Sequence, residues 1–306
     1  MTINNKNKVI EYFESGIKKK ELIGVENEKF LFFKDIGKRA DYPIVQKLLE
    51  AFSKEYDWKK INENSNLIGL KLDGKSISLE PGNQLELAGD KLNNIHEVCS
   101  ESYNFQDQLT KICNKLNLES MSVGYDPITK LNEAPNNPKE RYKIMTEEMP
   151  KNGKLSLDMM YHTCGTQINL DYLSEKDFSK KFKLSTYLTP IFIAIFSNSA
   201  IKENLSSGYL SYRAHVWQNT NRGGLPSIFF EDMDFEKYAD FSMSMPMLFI
   251  FNQNKHFSIK NKTFKDFMNG QIEEVNNILP EEKDLELHLS TIFTENRLKK
   301  YIELRS

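Results

Sequence analysis

Cysteine is scarce in this chain. Three in 306 residues is an odd count, too small for a disulfide framework, and argues for a reducing compartment. Long apolar runs are also lacking: the longest, residues 191–196 and 247–251, fall far short of the ~20 residues of a membrane span. No apolar run of ~7–15 residues opens the chain, so no secretory leader is read and a cytoplasmic setting is expected. Basic charge is not in excess. Lys plus Arg number 41 against 43 Asp plus Glu, a net charge of −2, which argues against a surface built to coat nucleic acid. Neither membrane nor nucleic acid is therefore an expected partner. A GxxxxGK[ST] loop and a GxGxxG after a strand are both missing, so neither a P-loop nor a dinucleotide site is supported. HExxH is absent, and no Cys/His set has zinc spacing.

What is present is core material: 20 Phe, 13 Tyr and 2 Trp, enough to exclude disorder of the whole chain. A short helix is expected within the first dozen residues, then a strand over 21–33 and a helix over 41–58 with Pro43 early and Ile44, Leu48, Leu49 and Phe52 on one face. Residues 60–66 read as a polar turn. Strands over 67–72 and 76–87 are joined by Asp73-Gly74, a strong hairpin signal. Asp90 is placed as the cap of a long helix to about Leu116, with Cys99 and Cys113 on its core stripe. Residues 126–138 form a Pro/Asn loop and 141–149 a helix. Strands recur over 157–172 and 208–217, with a buried helix over 178–196, kinked near Pro190, between them. No βαβ rhythm appears. The fold class expected is α+β, with a mainly antiparallel sheet that bears ligands on a concave face and helices packed on the other.

Four strand segments carry the informative pattern. Alternate residues of a strand share a face. Gly24, Glu26 and Glu28 share one; Glu80, Gly82, Gln84 and Glu86 share another if pairing stays regular past Pro81. Thr163, Gly165, Gln167, Asn169 and Asp171 form a third, and Ser211, Arg213, His215 and Trp217 a fourth. Any one of these reads as a solvated face. Together they differ from solvated faces, because they carry Gly, Gln, Asn, Arg, Trp and clustered Glu in place of Lys and Thr mixtures. Such faces suit a ligand-bearing hollow. Carboxylates converging on one hollow repel each other unless a cation neutralises them, and hard oxygen donors suit Mg²⁺ or Mn²⁺ beside nucleotide phosphates. Arg213 and Arg222 then fit a carboxylate or a transferring phosphoryl group.

The segments GVENEKF, ISLEPGNQLELAG, RYKIMTEEMPKNGKLSLDMMYHTCGTQINLDY, SYRAHVW followed by RGGLP, and HLSTIFTENRLKKYIELRS span essentially the whole chain. In this order they resemble the plant- and proteobacterial-type glutamate–cysteine ligases of the glutamine-synthetase-like carboxylate–amine ligases. The resemblance implies a single catalytic domain over 1–306 that ligates L-glutamate to L-cysteine with ATP and Mg²⁺, through a γ-glutamyl phosphate, as the first step towards glutathione. It implies that Glu26, Glu28, Glu80 and Glu86 hold metal. Gln84, Gln167 and Asn169 would line the substrate or nucleotide cavity, with Tyr142 in its wall. Arg213 and Trp217 would contact the glutamyl portion, and Arg222 and Arg305 would meet phosphate.

The chain departs from that pattern in three places. Asn219-Thr220-Asn221 replaces an Asp-rich stretch, His162 stands where relatives often carry Arg, and relatives continue past the Leu-Glu-Leu-Arg segment into a further helical portion. Two alternatives therefore stay open: a sister carboxylate–amine ligase with another acceptor amine, and a truncated, inactive relative that binds nucleotide or metal. Cys164 lies on an apolar face and reads as a packed residue, not a nucleophile. His162 and His215 lack a visible partner and read as packing or hydrogen-bonding residues.

Overall fold

The computed structural model describes residues 1–305. Its central element is strand β1 (Ile23–Phe33), flanked by β2 (Lys59–Glu63), β3 (Asn66–Leu72), β4 (Lys75–Leu79), β5 (Leu85–Ala88), β6 (Leu118–Met121) and β7 (Thr166–Leu170). A terminal hairpin, Asn296–Leu298 and Ile302–Leu304, completes one nine-stranded sheet. Its order is terminal hairpin, β7, β1, β5, β4, β3, β2, with β6 on the far half of β1. Every pairing in it is antiparallel.

One face of this sheet is apolar because Leu70, Ile77, Leu79, Leu85 and Leu87 alternate onto it. Helices α2 (Tyr42–Glu55) and α3 (Ile95–Lys115) cover that face, after α1 (Lys6–Glu14), with Val45, Leu48, Leu49 and Phe52 from α2 and Phe105, Leu109 and Ile112 from α3. Truncating one such buried leucine, Leu48→Ala, would cost ~2–5 kcal/mol. Asp41 caps α2 by accepting from Ile44 N at 3.3 Å, and Pro43 fits the first turn, where no amide donor is needed. The opposite face is polar. Register places Glu28 across from Glu86, Glu26 across from Gln167, and Asn169 across from Glu303.

The rest of the chain builds over that polar face and beside it. Helices α4 (Glu140–Glu148), α5 (Ser156–His162), α6 (Glu175–Ile195), α7 (Tyr212–Gln218), α8 (Phe235–Ser244), α9 (Phe264–Met268) and α10 (Glu282–Ser290) supply it. A phenylalanine-rich core joins α1, α6, α8, α9 and α10 through Phe13, Phe178, Phe182, Phe235, Phe264 and Leu285. A smaller aromatic cluster holds Tyr125, Tyr142, Tyr161, Tyr212, Trp217 and Phe249 together. No helix among the described residues is long and apolar enough to cross a membrane.

The α+β expectation with an antiparallel sheet stands; α2 and α3 pack on the apolar face as expected, while later helices also build over the polar face, and the other differences are local. Residues 60–66 contain β2, and β6 is a further strand. Asn94, not Asp90, caps α3, accepting from His96 N at 3.0 Å and Glu97 N at 3.1 Å. Asp90 stays in an extended segment because Leu92 exchanges two 2.8 Å backbone bonds with Ile23. Cys99 is exposed, so only Cys113 and Cys164 are buried. The expected strand over 157–172 is helix α5 followed by β7, and the expected strand over 208–217 is largely α7, capped by Ser211 accepting from Ala214 N at 3.3 Å. Helix α6 runs through Pro190 without a break. Its second half is not buried: Tyr187, Ile191 and Ile195 are each more than half exposed.

Candidate active site

A cavity of about 260 Å³ over the polar face of the sheet is lined by two walls of opposite charge. The first wall is acidic. Glu26 and Glu28 project from β1 and Glu86 from β5, and Glu80 joins them from the turn after β4. Gly165 N donates to Glu28 Oε2 at 2.6 Å, Gln167 Nε2 donates to Glu28 Oε1 at 3.3 Å, and Asn169 Nδ2 donates to Glu26 Oε1 at 2.9 Å. These bonds do not offset burial and crowding. Desolvation, then the neighbouring Glu80 charge, raises Glu28 to about 7, and desolvation with Glu80, Glu26 and Glu28 holds Glu86 well above the usual carboxylate range. Glu26 is raised by burial and then by Glu303.

The second wall is basic and comes from the terminal hairpin. Arg297, Lys299 and Arg305 line the cavity, and all three grip buried Glu303. Arg297 Nη2 lies 2.5 Å and Arg305 Nη1 2.5 Å from Glu303 Oε1, and Lys299 Nζ lies 2.8 Å from Oε2. Burial pushes the Glu303 carboxyl up, but these three cations overcome it and hold it well below the usual range. Arg305 Nη1 also donates to Gln167 Oε1, which ties the basic wall to the amide beside Glu28. Arg305 is buried in spite of its place near the chain end, and its amide donates to Glu295 O at 2.9 Å.

Two further cavities adjoin the first. One, of about 470 Å³, shares Glu28 with it and holds Gly165, Cys164 and Arg213 against an apolar side made by Ile168, Phe192 and Phe196. Here Gly165 is needed for close approach: a Cβ on it would lie 2.8 Å from Arg213 Nη2. Arg213 lies over the Trp217 ring at 5.4 Å, Arg305 over the same ring at 5.2 Å, and Arg213 Nη2 donates to Arg305 O at 2.8 Å. Its Nε is buried without a partner. The other cavity, of about 670 Å³, shares Arg141 with the first.

The residues expected at the site thus divide. Glu26, Glu28, Glu80, Glu86, Tyr142, Gln167 and Arg305 line one cavity together, and Arg213 reaches its neighbour. Asn169 touches the acidic wall through Glu26. Trp217 is buried beneath the two guanidinium groups and lines none of the three cavities.

Gln84 does not reach the cavity. It is buried in the turn, where Gly82 N donates to its Oε1 at 2.8 Å and its Nε2 donates to Met160 O at 3.1 Å and Thr163 O at 3.0 Å. The strand ends at Leu79, so Pro81 breaks the alternation that would have carried Gln84 onto the acidic face.

Arg222 is likewise drawn elsewhere. It donates to Thr291 O at 2.6 Å, Pro246 O at 2.6 Å and Thr291 Oγ1 at 3.0 Å, and burial lowers it to about 10. Its guanidinium holds the segment after α10 in place.

The expected metal set is four carboxylates around one cavity. No three His, Cys, Asp or Glu side chains among the described residues form a metal-holding group as they stand.

Arg141, Arg297, Lys299 and Glu303 were not anticipated. The signal for Arg297 and Glu303 was available, since they are register partners in the hairpin and Glu303 alternates onto one face with Arg305.

Comparison with known proteins adds sequence and fold relationships. The model of glutamate-cysteine ligase family 2 matches residues 22–306. Glutamate–cysteine ligase A, chloroplastic, of Oryza sativa subsp. japonica is 41% identical over 305 residues, covering 98% of this chain and 62% of the rice protein. The chloroplastic enzymes of Nicotiana tabacum (40% identical, 98% of this chain, 58% of that one) and Arabidopsis thaliana (38%, 97% and 58%) are similar to the same extent. The chain therefore spans about 60% of the length of these relatives. The crystal structure of glutamate–cysteine ligase from Francisella tularensis in complex with AMP has a TM-score of 0.51 at 12% identity, over 94% of this chain and 61% of that one, and shares its fold.

The expected cytoplasmic setting is corrected by the names of the plant relatives, all of which are chloroplastic. Lack of an apolar leader does not separate the two compartments, because plastid targeting segments are not apolar runs.

Proposed function

The chain belongs to glutamate-cysteine ligase family 2, and on that premise we propose that it joins L-glutamate to L-cysteine with consumption of ATP, giving γ-glutamylcysteine, the first step towards glutathione. The observation that carries this reading is the pairing of an acidic wall, raised in proton affinity by burial and mutual repulsion, with a basic wall across one cavity. A single catalytic domain over residues 1–306 is part of the same proposal.

The chemistry requires the γ-carboxylate oxygen of glutamate to bond to the ATP γ-phosphorus as the bond to ADP breaks. The amine of cysteine then bonds to the acyl carbon and inorganic phosphate leaves. The first step needs positioning and charge neutralisation more than covalent help. Arg213 suits the glutamate α-carboxylate: its Nε is unpartnered and it faces the roomier cavity beside Glu28. The apolar side of that cavity suits a small thiol-bearing acceptor. Arg297, Lys299 and Arg305 suit the phosphate oxygens, and Trp217 fixes the two arginines from beneath.

The donor set fits a divalent ion by its chemistry. Glu28, Glu80, Glu86 and Glu26 are hard oxygen donors whose crowding a cation would relieve. Mg²⁺, or Mn²⁺, would supply neutralisation of the phosphate charge there.

Purified protein with ATP, Mg²⁺, glutamate and cysteine should release phosphate and form γ-glutamylcysteine in equal amounts, and Glu86→Gln should not. Wild-type turnover no greater than that of the variant would end the reading. Replacing cysteine by other small amino acids, with glutamate fixed, separates it from a sister ligase with a different acceptor.

A further inference from the structure

Gln84 lies outside the cavities, yet its amide joins two segments that serve the acidic wall. The side chain is 1% exposed, and each of its bonds goes to a backbone group. On one side Gly82 N donates to its Oε1, and Glu80 N donates to the Gln84 carbonyl at 2.9 Å, which closes the turn that presents Glu80. On the other side Nε2 donates to Met160 O and Thr163 O, at the end of α5 and just beyond it. Two residues past Thr163, Gly165 N donates to Glu28 Oε2, and Glu28 N donates back to Gly165 O at 3.0 Å. One amide thus links the turn of one carboxylate to the peptide that orients another.

Other contacts brace the same joint. Arg39 Nη2 donates to Gly82 O, and its Nη1 lies 2.7 Å from buried Asp126 Oδ2. Asp126 N in turn donates to His162 O at 2.9 Å. None of Arg39, Gly82, Asp126 and Thr163 lines the acidic cavity. In so buried a joint, loss of the amide withdraws partners from Gly82 N, Met160 O and Thr163 O, and the segments shift to replace them. The affinity of a metal ligand depends on how firmly the groups behind it hold it.

We propose that Gln84 is a positioning residue that sets the separation of the Glu80 and Glu28 carboxylates for a divalent ion. The inference rests on the ligase reading, in which those carboxylates hold the ion, and extends it to a residue that touches neither ion nor substrate.

Titration of the metal-free protein with Mn²⁺, followed through the electron paramagnetic resonance signal of the free ion, tests it. Gln84→Met fills the same space without the three bonds, and should bind Mn²⁺ about 10- to 100-fold more weakly than wild type, the usual loss when a group behind a metal ligand is removed. Gln84→Asn, one methylene shorter, should fall between the two, and it carries the test if Gln84→Met does not fold. Leu48→Ala, in the core under the apolar face of the sheet, is the control: its melting temperature should drop and its Mn²⁺ affinity should hold. In ligation, the Mg²⁺ concentration for half-maximal rate should rise in Gln84→Met by the same factor as the loss of Mn²⁺ affinity, and stay at the wild-type value in Leu48→Ala. Mn²⁺ binding by the Gln84 variants equal to wild type, or weakened as much by Leu48→Ala, overturns the positioning role while the ligase reading stands. Wild type that binds no Mn²⁺ overturns both.

Discussion

The two walls of the central cavity are built on opposite electrostatic plans. The basic wall is complete within the chain: one buried carboxylate, Glu303, satisfies Arg297, Lys299 and Arg305 at once. The acidic wall is not. Glu28 meets two amides, Glu86 accepts from Ser78 Oγ at 3.2 Å, and both are pushed toward protonation. A wall that balances itself holds a shape, whereas one left unbalanced stores an affinity for charge that must come from outside. The balanced wall holds its donors in place, and the unbalanced one calls for a cation.

The largest effect is expected where the balanced wall is broken. Glu303→Gln leaves three cations around a neutral amide and should cost about 3–5 kcal/mol in urea unfolding, as for loss of one partner of a buried ion pair. Because the Glu303 carboxyl is held low, its contribution is present at neutral pH and fades as pH falls through its lowered value, so the gap between variant and wild type should close in acid. A variant as stable as wild type at neutral pH would mean that the wall is not self-supporting.

Breaking the unbalanced wall should give the reverse pattern. Glu86→Gln should lower ATP-dependent ligation by about 10²–10³, equivalent to ~2.7–4 kcal/mol of lost charge stabilisation, without lowering the melting temperature. Unfolding of the variant ahead of wild type would show that Glu86 serves the fold.

Glu28 sharpens the contrast through pH. Its carboxyl is raised from 4.5 to about 7 in the folded state, so the neutral form is favoured. Metal-free wild type should therefore lose stability as pH rises from 4.5 through about 7, the window set by those two values. Glu28→Gln should fall less steeply there, with Glu86 and Glu26 still raised, and be more stable by about 1–2 kcal/mol at the upper end, short of the full shift because Gln167 Nε2 would face a second amide donor. A wild-type profile rising over that range would contradict it. The smallest effect is expected from Gly165→Ala. The added methyl meets the Arg213 guanidinium, at 2.8 Å from Nη2, and displaces it slightly, so the KM for glutamate should rise by about two- to fivefold and that for ATP should hold. An unchanged glutamate KM would remove Arg213 from that role.

The acidic wall was legible because period two is a property of single strands, and β1, β5 and β7 keep it. Arg213 and Trp217 were grouped correctly for the wrong reason. Four residues apart, they share a face on a strand and also on a helix, and α7 is a helix. His215 falls out of that group, stacking on Tyr209 with ring centroids 4.4 Å apart. Gln84 was lost because a turn set by Pro81 and Gly82 follows backbone sterics that alternation does not see; a Cβ on Gly82 would meet Tyr161 O at 2.6 Å. Arg222 was lost because an arginine before a Gly-Gly pair looks the same whether it meets phosphate or, as here, three backbone and hydroxyl oxygens.

Titration of the metal-free protein with Mg²⁺ at about pH 8, in the presence of a non-hydrolysable ATP analogue, tests most directly whether the acidic wall is poised for a cation. Saturable binding accompanied by a rise in melting temperature is expected for wild type, with both lost in Glu86→Gln. Equal binding by the two proteins, or none by wild type, would contradict it.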